Sequence, residues 1–212
     1  MSNNNIKRTK FNICVLGESQ VGKSSIISRL KGDPFNEIGL LTAGIDYFID
    51  EEIIEGEKYK FKIFDTAGQE RYKSISCSAI KLAEGFMLVF SVTNKDSFVK
   101  INDWLTSIQN EVNLSTKSIV LIGNKIDLPD REISNEDALN FSKSLNLKYF
   151  ETSAKTGQGI KEVFKELYND IYKLQKQIGI KKGNIQIKRR ISEDKKKGCC
   201  EFLFDYFYLK KV

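Results

Sequence analysis

Histidine is absent from all 212 residues, and only two prolines occur. Without histidine the common structural zinc sites lose their nitrogen ligand, and the four cysteines do not replace it. Cys14, Cys77, Cys199 and Cys200 lie in unrelated contexts without zinc-type spacing, which leads us to expect a reducing, cytosolic setting. No apolar run approaches the length of a membrane-spanning helix, so none is expected. The opening MSNNNIKRTK lacks the apolar core of a secretory signal, and Ser2 stands where N-myristoylation requires glycine.

What is present suits a globular domain followed by a tail. Hydrophobic residues make up 41% and charged residues 29% of the chain, enough for a sizeable core. The net charge of +6 is unevenly placed. Residues 173–212 carry twelve Lys/Arg against four Asp/Glu, leaving 22 against 24 in the remainder. A basic tail on a slightly acidic body favours an anionic surface as partner and argues against a nucleic-acid-binding body.

Branched apolar runs alternate with amphipathic stretches: FNICVLG, KSSIISRLK, FKIFD, GFMLVFSV, DSFVKINDWLTSIQNEV, SIVLIG, NEDALNFSKSL, LKYFE and GIKEVFKELYNDIYKLQ. This rhythm predicts a three-layer α/β domain, with a mostly parallel sheet of roughly six strands and helices on both faces. Polar or turn-rich pieces interrupt it at Gly32–Gly44, Gly68–Ser78, Asn124–Arg131 and Ser153–Gly159. Ligands of open α/β sheets bind beyond the strand carboxyl ends, so the chemistry is expected in such pieces.

After the first strand, GESQVGKS over residues 17–24 matches the phosphate-loop pattern G-x-x-x-x-G-K-[ST] in its strand-to-helix context. Its candidate ligand-binding residues are Ser19, Gln20, Val21, Gly22, Lys23, Ser24 and Ser25. The glycines let backbone amides turn toward phosphate oxygens at a helix N-terminus. Lys23 reaches for the terminal phosphates, and Ser24 offers a hydroxyl to Mg²⁺. DTAGQER follows the strand FKIF: Asp65 is a candidate magnesium carboxylate, Gly68 allows close approach to a γ-phosphate, and Gln69 can orient an attacking water. Lys23 and Gln69 are thus the candidate catalytic residues. The base is addressed by Asn124, Lys125 and Asp127 of NKID. The two carboxylate oxygens of Asp127 can accept from both donors on the guanine edge, a pairing adenine does not offer. Lys125 lays its stem over the base and Asn124 ties this loop to the phosphate loop. ETSAK adds Ser153, the Ala154 amide and Lys155 as further base contacts.

In this order and spacing the four segments resemble the small GTPases of the Ras superfamily over roughly residues 8–176, leaving 177–212 as a basic hypervariable tail. LTAGIDYF, DTAGQERY and ETSAK, with a basic, cysteine-containing end, are most similar to the Rab family. The resemblance implies a P-loop GTPase fold and a switch that binds GTP and GDP with Mg²⁺ and hydrolyses GTP slowly until an activating protein intervenes. It also implies exchange factors, effectors, a role in vesicle traffic, a place in the cytosol and on the cytosolic face of an endomembrane, and a monomer. By the same resemblance Thr42 meets magnesium and the γ-phosphate, and Phe35 packs edge-on against guanine. A phosphate-loop kinase or ATPase is disfavoured by NKID and ETSAK. A GTP-binding scaffold with little hydrolysis stays open, because the surface that partners read departs from the family.

Tyr47, Phe64 and Ala79 occupy the positions of the aromatic triad that effectors use in Rabs, and Ala43 replaces the usual isoleucine. Altered partner choice with hydrolysis retained is the expectation. In the tail, Cys199 and Cys200 would carry prenyl groups if terminal, but EFLFDYFYLKKV follows them and is not a C-a-a-X signal. Three readings stay open: an amphipathic element, a segment trimmed before lipidation, or a mistaken gene boundary. Idle cysteines in a disordered charged tail are a fourth.

Overall fold

A computed structural model describes residues 9–36, 45–66 and 73–179. The chain divides into two compact units, Met1–Tyr172 and Lys173–Val212. In the second, residues 173–179 are helical. The first contains the strands β1 (Lys10–Leu16), β2 (Ile45–Ile54), β3 (Glu57–Thr66), β4 (Gly85–Ser91), β5 (Ser118–Asn124) and β6 (Lys148–Thr152). Its helices are α1 (Lys23–Lys31), α2 (Lys73–Leu82), α3 (Lys95–Val99), α4 (Ile101–Glu111), α5 (Asn135–Ser144) and α6 over residues 160–172.

The strands form one six-stranded sheet in the order β2-β3-β1-β4-β5-β6. Only the β2–β3 pair is antiparallel. The alternation of side chains along each strand divides the core in two. Phe11, Ile13 and Val15 of β1, Met87 and Val89 of β4 and Val120 and Ile122 of β5 pack on one face with Ile26 of α1 and Phe164 and Leu167 of α6. Cys14 and Leu16, Phe86, Leu88 and Phe90, and Leu121 face the other way, onto Ile80 of α2, Ile101, Trp104 and Ile108 of α4, and Ala138 of α5. This is the expected three-layer α/β architecture.

The fold departs from the sequence pattern in three places. DSFVKINDWLTSIQNEV reads as one helix but is broken at Lys100 into α3 and α4. The amides of Asp103 and Trp104 both donate to the Lys100 carbonyl, at 3.1 and 3.2 Å, a tightened turn that re-aims the chain. The second departure is β2, IDYFIDEEII, whose acidic and apolar residues mix because this edge strand has one face open. Third, the turn-rich reading of Gly68–Ser78 gives way to helix from Lys73 onward, whose apolar Ala79 and Ile80 are anchored in the core.

Candidate functional site

Because β1, β3, β5 and β6 run parallel, their carboxyl ends reach the same edge of the sheet. That edge gathers Gly17–Ser24, Asp65, Asn124–Asp127 and Ser153–Lys155 from distant parts of the chain. The phosphate loop is shaped by two glycines. Gly17 (φ +146°) backs onto β4, where a Cβ would lie 2.1 Å from the Val89 carbonyl oxygen. Gly22 (φ +98°) backs onto Asn124, where a Cβ would lie 2.3 Å from Nδ2. Left-handed backbone without room for a methyl requires glycine at both. Gln20 adopts φ +63° with its side chain exposed, whereas Val21 is buried in the core. Ser19, Ser24 and Ser25 are half-buried.

Lys23 lies inside the loop, with Nζ donating to the carbonyls of Gly17 at 2.9 Å and Glu18 at 2.8 Å. Burial pulls its pKa down to about 8, against the opposing charges of Asp65 and Glu18. Asp65 is buried nearby. Among the described residues its Oδ1 has no hydrogen-bond partner, and desolvation raises its pKa although a Ser24 hydrogen bond and the Lys23 charge oppose the rise. An orphaned carboxylate oxygen beside a serine hydroxyl fits a hard divalent cation that takes its remaining ligands from water and phosphate. The described residues contain no cluster of three or more His, Cys, Asp or Glu side chains that would hold a metal alone. The neighbouring Thr66 locks this strand end to β1 by donating to the Val15 carbonyl at 2.6 Å.

Asn124 joins the loops. Its Nδ2 donates to the Val21 carbonyl at 2.8 Å, while Oδ1 accepts from Thr152 Oγ1 at 3.1 Å and from the Ala154 amide at 3.2 Å. The Ala154 amide, expected to be available to a base, is therefore engaged already. Asp127 is oriented by Ser153, whose hydroxyl donates to Oδ1 at 2.6 Å and accepts the Thr156 amide at 3.0 Å. Lys125 adopts φ +70°, and desolvation lowers its pKa against the pull of Asp127. Lys155 is exposed beside this loop, and Phe35 is half-buried against the core of the α1 face.

One contact set escapes the motif reading: Arg131 makes a forked pair with Glu151, at 2.8 and 3.4 Å, and Tyr149 donates to the same carboxylate at 3.0 Å. It braces ETSAK from below. An arginine soon after NKID and the first residue of ETSAK were its only sequence signals. Thr42, Ala43, Gly68, Gln69, Cys199 and Cys200 lie outside the described residues. At the triad positions Phe64 and Ala79 are buried, whereas Tyr47 is 55% exposed with Lys62 Nζ 3.9 Å from its ring centroid. Among the described residues no helix is long and apolar enough to cross a membrane.

The Ras family model matches residues 12–173. Rab-18-B of Danio rerio is 33% identical over 195 residues, covering 91% of this chain and 94% of the relative. Rab-18 of Caenorhabditis briggsae is 36% identical over 163 residues, covering 77% and 81%, and Rab-13 of Canis lupus familiaris is 37% identical over 175 residues, covering 82% and 85%. The gathering of the phosphate loop, NKID and ETSAK at one sheet edge agrees with these matches, which place the chain in the Ras family, as a small GTPase of the Rab type.

Proposed function

We propose that this protein is a GTP-binding switch of membrane traffic that hydrolyses GTP to GDP and phosphate on the cytosolic face of an endomembrane. The observation that carries the nucleotide reading is Asn124, one buried amide bonded at once to the phosphate loop and to the ETSAK loop. Such a joint sets the separation between a base reader, Asp127, and a phosphate reader, Lys23. The ligand that spans them carries a guanine base at one end and a polyphosphate at the other.

Ser24 and Asp65 would hold Mg²⁺, with Thr42 as a third candidate ligand from the resemblance. When bound, the ion neutralises phosphate charge. The chain's own residues do the rest. The loop amides cradle phosphate oxygens at the N-terminus of α1. Lys23, already desolvated, places its positive charge where negative charge builds on the transferring group. Gln69 orients the water, and Thr42 and Gly68 sense the γ-phosphate. Displacement of labelled GDP by GTP and ATP tests the base reading, and equal competition by ATP would refute it. Single-turnover hydrolysis with Gln69→Leu tests the reaction, for which a slowing of at least about tenfold is expected.

The alternative, a GTP-binding scaffold with little hydrolysis and altered effector choice, is touched by one observation, and only in its choice of effectors. With Phe64 and Ala79 buried, the triad positions present one tyrosine capped by a lysine. Partners that read this face would meet a different surface from the aromatic triad that the resemblance implies. Equal single-turnover rates for the native chain and Gln69→Leu would favour this reading over the enzymatic one. Exchange factors, activating proteins and effectors are expected in either case. Membrane attachment is assigned to the basic tail, and Cys199 and Cys200 would add prenyl groups to it only if the residues that follow them are removed.

A further inference from the structure

The second residue of the phosphate loop is tied by its side chain to the α3–α4 junction. Glu18 Oε1 accepts from Trp104 Nε1 at 3.2 Å, and Oε2 pairs with Lys100 Nζ at 3.0 Å. Trp104 is buried in the core of the α4 face, and Lys100 is the residue at which α3 breaks from α4. The same Glu18 presents its main-chain carbonyl to Lys23 Nζ at 2.8 Å. Side chain and carbonyl belong to one residue, so holding the carboxylate limits rotation of the peptide on which Lys23 rests. A half-buried carboxylate with both oxygens engaged by a tryptophan N–H and a lysine is a fixed point. Free-standing loop residues have none.

We propose that Glu18 is a positioning residue for the phosphate end of the nucleotide, acting through Lys23, with Trp104 and Lys100 as its anchor on the α3–α4 junction. The inference rests on the guanine-nucleotide reading and adds a determinant of how strongly the site distinguishes nucleotides by phosphate number. Lys23 serves the outer phosphates, while the base loops serve guanine alone. Loosening the anchor therefore weakens GDP binding while leaving the affinity for GMP nearly unchanged. A general loss of structure would weaken both.

The test measures GDP and GMP affinity by displacement of a fluorescent guanine nucleotide from the full-length chain, for the native protein, Glu18→Ala and Trp104→Phe. Trp104→Phe removes the donor and keeps an aromatic ring in the core at the cost of some volume, so it covers the case in which Glu18→Ala fails to fold. Each variant is expected to reduce the GDP:GMP affinity ratio about three- to tenfold, the size associated with one ordinary hydrogen bond, because the anchor acts on the phosphates only through Lys23. GMP affinity should stay within about twofold. An unchanged ratio in Trp104→Phe, or an equal fall in both affinities accompanied by a lower melting temperature, overturns the anchor. Failure of the native chain to bind GDP refutes the guanine-nucleotide reading itself, an outcome distinct from a native chain that binds GDP and variants that keep the ratio.

Discussion

Asn124 makes three hydrogen bonds from a side chain that is almost wholly buried. Truncation to alanine strands the Val21 carbonyl, the Thr152 hydroxyl and the Ala154 amide, of which each buried group left unpaired costs about 1–3 kcal/mol. Asn124→Ala should therefore release GDP at least about tenfold faster and lower the melting temperature, measurable by mant-GDP dissociation and by calorimetry. Asn124→Asp should not rescue it, because a carboxylate cannot donate to the Val21 carbonyl. At this scale the candidate residues were legible as motifs: Lys23, Ser24, Asp65, Asn124 and Asp127 lie in segments that the fold gathers at one edge of the sheet. Glu18, Ser153 as the orienter of Asp127 and the Arg131–Glu151–Tyr149 brace become visible only once the sheet and its helices are assembled.

At the scale of elements, α6 is fastened to the β2–β3 hairpin by tyrosines. Tyr168 stacks on Phe61, with ring centroids 3.9 Å apart and planes at 11°, and its hydroxyl donates to Asp50 at 2.8 Å. Tyr172 repeats the arrangement, meeting Tyr59 edge-on and donating to Glu55 at 2.7 Å. Burial and the neighbouring Asp50 carboxylate push the Tyr168 phenol well above its ordinary pKa, so it donates throughout the physiological range. Tyr168→Phe should cost about 1 kcal/mol through loss of one hydrogen bond, and Tyr168→Ala about 3–5 kcal/mol through loss of the ring. Urea denaturation separates the two, and equal destabilisation by both would show that the hydroxyl, and not the stack, holds the hairpin. Neither contact is visible in a sequence window, since Asp50 and Tyr168 are 118 positions apart. The strand β2 is poorly legible for a related reason. Its exposed Tyr47, Ile49 and Ile53 alternate with residues facing the core, and an edge strand open on one face mixes both kinds.

At the scale of the whole molecule the charge is divided, with twelve cations against four anions in residues 173–212 and a slight excess of anions elsewhere. Full-length protein should sediment with vesicles of anionic lipid at low ionic strength and be released at about 0.5 M salt, where the Debye length falls to a few ångströms. A chain ending at residue 180 should remain in the supernatant under both conditions. Salt-resistant sedimentation would point instead to the aromatic segment Phe202–Leu209 as the membrane contact.

By itself the sequence determined the family, and with it the guanine-nucleotide class of ligand, because the motifs that mark it are short segments whose residue types and order are local properties: a glycine-shaped loop closed by Lys23, DTAGQE at a strand end, NKID and ETSAK. It also determined the layered α/β class, because strand and helix periods are local. The tertiary structure decided what those residues lean on. The break at Lys100, the anchoring of Glu18, the engagement of the Ala154 amide and the burial of Phe64 and Ala79 arise from packing between segments dozens of positions apart. Packing energies depend on which surfaces meet, and no local pattern records that.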